Sequence, residues 1–252
     1  MVPRRATYAV VDRTPRFNND LKREKLPQWS FVTPNLVNDG HDTSIAVSCK
    51  WTRDFVEPLL ANKYFNKDAL IYITWQANGQ YPKLSNHVAG ILLGSAIDKK
   101  LIGTVDNSYY NHYSEISSIE ANWELHHLGR WDVGANVWKF VGDKTKDVVR
   151  RWSPTIAKDS FENYFWNQSY GGVFSSASTS SHLYVKPNLG LVHNRRTILP
   201  AIARVWQRSN LPSYYRDIIE LPDALHPPKG YEVPIGLEPS PPITTPITVY
   251  PV

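Results

Sequence analysis

Apolar residues recur along this chain in two spacings. Between Ile45 and Leu59 the spacing is helical. Ile45, Val47, Trp51, Phe55, Val56 and Leu59 fall roughly on one side of a helix over IAVSCKWTRDFVEPLL, with Asp42, Thr43 or Ser44 as its cap. Residues 70–75 and 88–93 are instead short continuous apolar runs, the pattern of strands covered on both faces, as in a parallel sheet. SEISSIEANWELHHLGR returns to helical spacing, with Ile116, Ile119, Trp123 and Leu125 on its apolar side and Gly129 as the stop. Shorter signals predict strands at 8–11 and 29–32, a short helix in ANVWKFVGDKTKD, and a last helix in RRTILPAIARVWQRSN bent at Pro200. Strands alternating with helices make the fold class α/β.

Polar stretches divide the chain. Residues 1–26 read as a polar N-terminal extension and 27–210 as the α/β domain, which is loop-rich over 153–190 and includes the run FSSASTSSH. Residues 211–252 form a proline-dense tail expected to be extended. No apolar run approaches the ~18 residues of a membrane span. The N-terminus has no signal-peptide core, so the chain as written is expected in the cytoplasm. Charge adds little. The net +5 is scattered, without a basic tract of five, so no nucleic-acid partner is expected and anionic small molecules such as phosphate esters are favoured. The nine Trp and fourteen Tyr are read mainly as core and rim. The single cysteine, Cys49, excludes an intrachain disulfide and a cysteine zinc site, and is expected as a buried helix residue.

Three clusters could carry chemistry. Asp39-Gly40-His41-Asp42 precedes a predicted helix start, where free N–H groups favour an anion; carboxylates and imidazole also suit a divalent metal, and equally a capped turn. Asn111-His112-Tyr113-Ser114-Glu115 stands at another helix start. There His112 could be a general acid, or the segment simply a cap made by Ser114 or Asn111. His126 and His127 point about 100° apart on a helix, which suits a helix-end charge better than chelation. No phosphate-binding P-loop, dinucleotide GxGxxG, HExxH or GxSxG motif is present, so no nucleotide cofactor is expected.

Taken together, LPQWSFVTPNLVNDGHDTS, DFVEPLL, ITWQANGQY, NHVAGILLGSAI, LIGTVDNSYYNHYSEISSIEANWELHHLGRWDVGANV and LPDALHPPKGYEVP resemble the fungal acid phosphatases of the phosphoesterase family, related to the bacterial phospholipase C and acid phosphatase group. The resemblance runs from about Phe17 to Pro234. It implies an alkaline-phosphatase-like α/β sandwich with a largely parallel sheet that hydrolyses phosphate monoesters at acid pH, with a divalent metal of unspecified identity at the strand ends. Asp39, His41 and Asp42 match the family's DGHD segment and His112 its HYSE segment. By that correspondence His41 and His112 are candidate catalytic residues, Asn78 and Asn111 candidate phosphate ligands, and Asp39 and Asp42 candidate metal ligands.

Two departures bear on activity. Where the family's strand ends Phe-Asp-Glu-Asn, this chain has Trp75-Gln76-Ala77-Asn78. An amide and a methyl stand in for two carboxylates, a loss on the order of several kcal/mol of cation attraction at a buried site. The resemblance also implies further chain on the N-terminal side. The expectation is therefore a sheet incomplete on that side, with an exposed edge and impaired hydrolysis. The alternative is a non-catalytic descendant that binds phosphate or a protein.

Overall fold

The computed structural model describes residues 15–76, 88–108, 110–147, 149 and 186–210. The expected strand at 8–11, the low-complexity stretch, the proline-dense tail, and Ala77 and Asn78 lie outside the described residues. The chain divides into two compact units. The first is Met1–Trp75 with Ala89–Gly103, and the second is Gln76–Val88 with Thr104–Val252.

The first unit holds helices α1 (Pro15–Lys22) and α2 (Ile45–Ala61), strands β1 (Ile71–Thr74) and β2 (Gly90–Leu93), and a 3-10 turn, Lys99–Leu101. Its core forms where α1 meets the end of α2. Phe17 and Leu59 are buried, and Leu21, Leu26, Val32, Phe55 and Phe65 pack on them. The Phe17 and Phe55 rings lie 5.5 Å apart, and Trp51 stacks on Phe55 at 5.2 Å. The apolar stripe of α2 works only in its second half. Val56 and Leu59 are buried, whereas Ile45 and Val47 at the first turn are exposed. Cys49 lies on this helix as expected but is exposed, a correction: it stands two turns before Val56 on the same side, in the first half of the helix, which nothing among the described residues covers. Residues 29–32 do not form the expected strand. Pro27 and Pro34 bracket the segment and remove ladder donors, and Val32 packs on the core instead.

Both predicted central strands exist, but they pair antiparallel, with Ile71 opposite Leu93 and Thr74 opposite Gly90. The parallel pairing expected of them is absent from the described residues. A continuous apolar run carries no strand direction, and an antiparallel pair needs no crossover helix. Neither strand is covered on both faces. All of β1 is half-buried, and Gly90 and Ile91 of β2 are exposed. Tyr72 lies diagonally across Gly90, so that a Cβ there would come within 2.6 Å of its ring.

The second unit contains α3 (Tyr113–Asn122), a single turn α4 (Trp131–Gly134), α5 (Lys139–Thr145), a hairpin of β3 (Val192–His193) and β4 (Arg196–Thr197), and α6 (Pro200–Trp206). Its core includes Ala121, Val133, Val137, Trp138, Val141 and Ile198. Helix α3 buries the side opposite to the expected one. Ser114, Ser117, Ser118, Glu120 and Ala121 face inward, and Ile116 is exposed. Small side chains let α4 and α5 approach closely, and each serine hydroxyl finds a partner. Ser117 donates to the Asp132 carbonyl; Ser118 donates to the Ser114 carbonyl at 2.6 Å and accepts from the Trp138 N–H at 2.9 Å.

The helix expected to continue to Gly129 stops at Asn122. Glu124 takes a left-handed φ of 49°, and the Leu125 N–H turns back to the Glu120 carbonyl. His126 and His127 are therefore not at a helix end. The buried His127 bridges to Ile198, with main-chain bonds to Thr197 and Leu199. Pro200 opens α6 at its first turn rather than bending a longer helix, and the residues before it form β4. Asn194 and Arg195, both at positive φ, make the two-residue turn of the hairpin.

Candidate functional site

In the first unit, the DGHD segment closes a compact turn ahead of α2. The Asn35 carbonyl accepts from the Asn38 and Asp39 N–H groups, and the Asn35 side chain accepts from Asn38 as well. The Asp39 carboxylate accepts the His41 N–H at 2.8 Å, and His41 Nδ1 donates to Asp42 at 2.9 Å. Ser44 is the helix cap by backbone conformation, without a side-chain cap bond. The imidazole of His41 and the carboxylate of Asp42 are 71% and 53% exposed. The hydrogen bond to Asp42, and then the Asp42 charge, raise His41 above the ordinary histidine range.

This turn does not fit a metal. Each carboxylate already accepts a bond from His41, the imidazole nitrogen nearest Asp42 is a donor, and all three groups are exposed. Among the described residues no group of three or more His, Cys, Asp or Glu side chains is placed to hold a metal ion.

In the second unit, residues 106–115 build the start of α3. The Asp106 carboxylate accepts from the Tyr110 hydroxyl and from the Ser108 N–H, while the Lys139 N–H donates to the Tyr110 oxygen at 2.8 Å. Burial works against the ionised Asp106, but these hydrogen bonds hold it below the usual carboxylate range. Burial, followed by the Asp106 bond, pushes the Tyr110 hydroxyl well up. Asn111 caps the helix. Its side-chain oxygen accepts the Tyr113 N–H at 3.0 Å, and its N–H donates to Ser114 Oγ at 3.1 Å. His112 is exposed, and its Nε2 lies 3.0 Å from the Gln76 main-chain carbonyl.

The second unit thus joins Gln76 to the HYSE segment, while the DGHD residues belong to the first unit. Sequence reasoning gave no role to Glu115. It sits one turn beyond His112, half-buried, with its carboxyl raised by burial and lowered in part by the charge of His112. The three-residue spacing from His112 was the available signal.

Residues 3–126 match the Phosphoesterase family, and through this region the chain belongs to that family. It is similar to an acid phosphatase of Aspergillus fumigatus, 45% identical over 68% of this chain and 37% of the relative. A probable acid phosphatase of Kluyveromyces lactis is 41% identical over 76% of this chain and 43% of its own length. An acid phosphatase of Aspergillus niger is 47% identical over 59% of this chain and 38% of its own. The chain spans about two fifths of the length of these curated relatives. No solved structure matches it.

Proposed function

We propose that this chain is an acid-phosphatase-like phosphoesterase that takes phosphate monoesters and hydrolyses them slowly. The observation that carries the reading is the hydrogen bond between His112 of the HYSE segment and the Gln76 main-chain carbonyl. It holds a proton-carrying imidazole beside the residue that stands where the family's resemblance implies a site. Family membership and the similarity to acid phosphatases support the substrate class. By the same reading the chain forms part of a larger alkaline-phosphatase-like sandwich with a largely parallel sheet.

In this reading Asn111 offers its amide to the phosphoryl oxygens. His112 gives a proton to the leaving oxygen as the phosphorus–oxygen ester bond breaks. A water oxygen forms the new bond to phosphorus and releases its proton to solvent. Asp39 and Asp42 keep their turn roles, and no step is routed through a metal. A second reading, a non-catalytic phosphate-binding descendant, is favoured by the amide and methyl at Gln76 and Ala77. Hydrolysis of a chromogenic phosphate monoester between pH 4 and 7, with and without added divalent metals, tests the two. Turnover abolished in His112→Ala supports the hydrolase. Phosphate binding without turnover under any condition supports the descendant.

A further inference from the structure

We propose that the Gln76 main-chain carbonyl is the positioning group of His112, fixing its proton on Nε2 so that Nδ1 is the nitrogen that meets the phosphate ester. The inference rests on the hydrolase reading above and adds the reacting atom to it. A main-chain carbonyl only accepts hydrogen bonds, so the 3.0 Å contact requires a proton on Nε2 in every protonation state of the ring. In the neutral ring this leaves the lone pair on Nδ1. In the protonated ring Nε2–H stays on the carbonyl, and Nδ1–H is the proton available to a leaving oxygen. When that oxygen takes the proton together with the electron pair of its broken bond to phosphorus, the ring returns to the Nε2–H tautomer without rotating. Solvent then restores the proton at Nδ1.

The scaffold beneath the ring is fixed. His112 directly precedes α3, which is held to its neighbours through Ser117 on the Asp132 carbonyl and Ser118 on the Trp138 N–H. Asn111 closes the first turn from the other side. The tie uses no side-chain atom of residue 76. A glutamine there, where relatives of the resemblance carry an acid, therefore preserves the placement of the imidazole even as it removes charge. Glu115 is the ionisable neighbour on the same helix that senses the His112 charge.

The test is nitrogen-15 NMR of the whole chain at a pH where the ring is neutral, with the His112 signals identified by their disappearance in His112→Gln. The expected result is a single Nε2–H tautomer, unchanged in Gln76→Ala because the contact is to the main chain. His112→Gln keeps an amide donor toward the carbonyl but has no counterpart of Nδ1, so it should lose turnover by about 100-fold or more. An Nδ1–H or averaged tautomer in the wild-type chain overturns the inference whatever the turnover. A fixed Nε2–H tautomer in a chain with no turnover counts against the hydrolase reading instead, which separates the two failures.

Discussion

Glu120 makes the second unit's stability depend on pH in a way that can be worked out. It is 3% exposed, and no described residue donates a hydrogen bond to either carboxyl oxygen. Burial, and then the charge of Asp132, push its carboxyl up from 4.5 to about 9. Between those values the folded chain holds a proton that the unfolded chain has lost, so stability falls by about 1.4 kcal/mol per pH unit. His127 acts with the opposite sign. Burial lowers it from 6.5, so below 6.5 the unfolded chain gains a proton that the folded one lacks, and stability drops as pH falls. The two slopes oppose each other between 4.5 and 6.5. Above 6.5 Glu120 acts alone, apart from a smaller contribution of the same sign from Glu115, and about 3 kcal/mol is lost by pH 9. Urea unfolding followed by tryptophan fluorescence at pH 6.5, 7.5 and 8.5 measures this. The wild-type chain should weaken by about 1.4 kcal/mol per unit relative to Glu120→Gln. Parallel curves for the two proteins would refute the buried, protonated carboxyl.

Other expectations follow from single contacts. Ser118→Ala leaves the buried Trp138 N–H without its acceptor and should cost about 1–3 kcal/mol in the same assay. Arg196→Met strands Asp147, which is 4% exposed and 2.6 Å from the guanidinium, and should cost about 3–5 kcal/mol; adding Asp147→Leu should recover part of it. Asp42→Ala removes the bond and the charge that raise His41, so the His41 midpoint in an NMR titration should fall toward the ordinary histidine value of 6.5.

How far the sequence could be read depended on whether burial was apolar. The α2 stripe and the two apolar strands were legible because Val56, Leu59 and the β-branched run follow their periods. Helix α1 was missed, since only Phe17 and Leu21, one turn apart, mark it within polar PRFNNDLK. The inward side of α3 was misread because serines and a glutamate carry it. Their burial depends on partners contributed by α4 and the start of α5, far away in sequence. The antiparallel pairing of β1 and β2 was hidden because a continuous apolar run does not encode strand direction. At the candidate site, the residue types were legible but their bonds were not. Asn111 as a cap and the Gln76 carbonyl as a partner of His112 are main-chain geometry, which no side-chain motif reports.

The central proposal is that this chain keeps a phosphoesterase site centred on His112 and the Gln76 carbonyl. The most direct measurement compares phosphate-monoester hydrolysis between pH 4 and 7 by the wild-type chain and by His112→Gln. The account predicts slow wild-type hydrolysis and a loss of about 100-fold or more in the variant. Equal rates in the two proteins would contradict it.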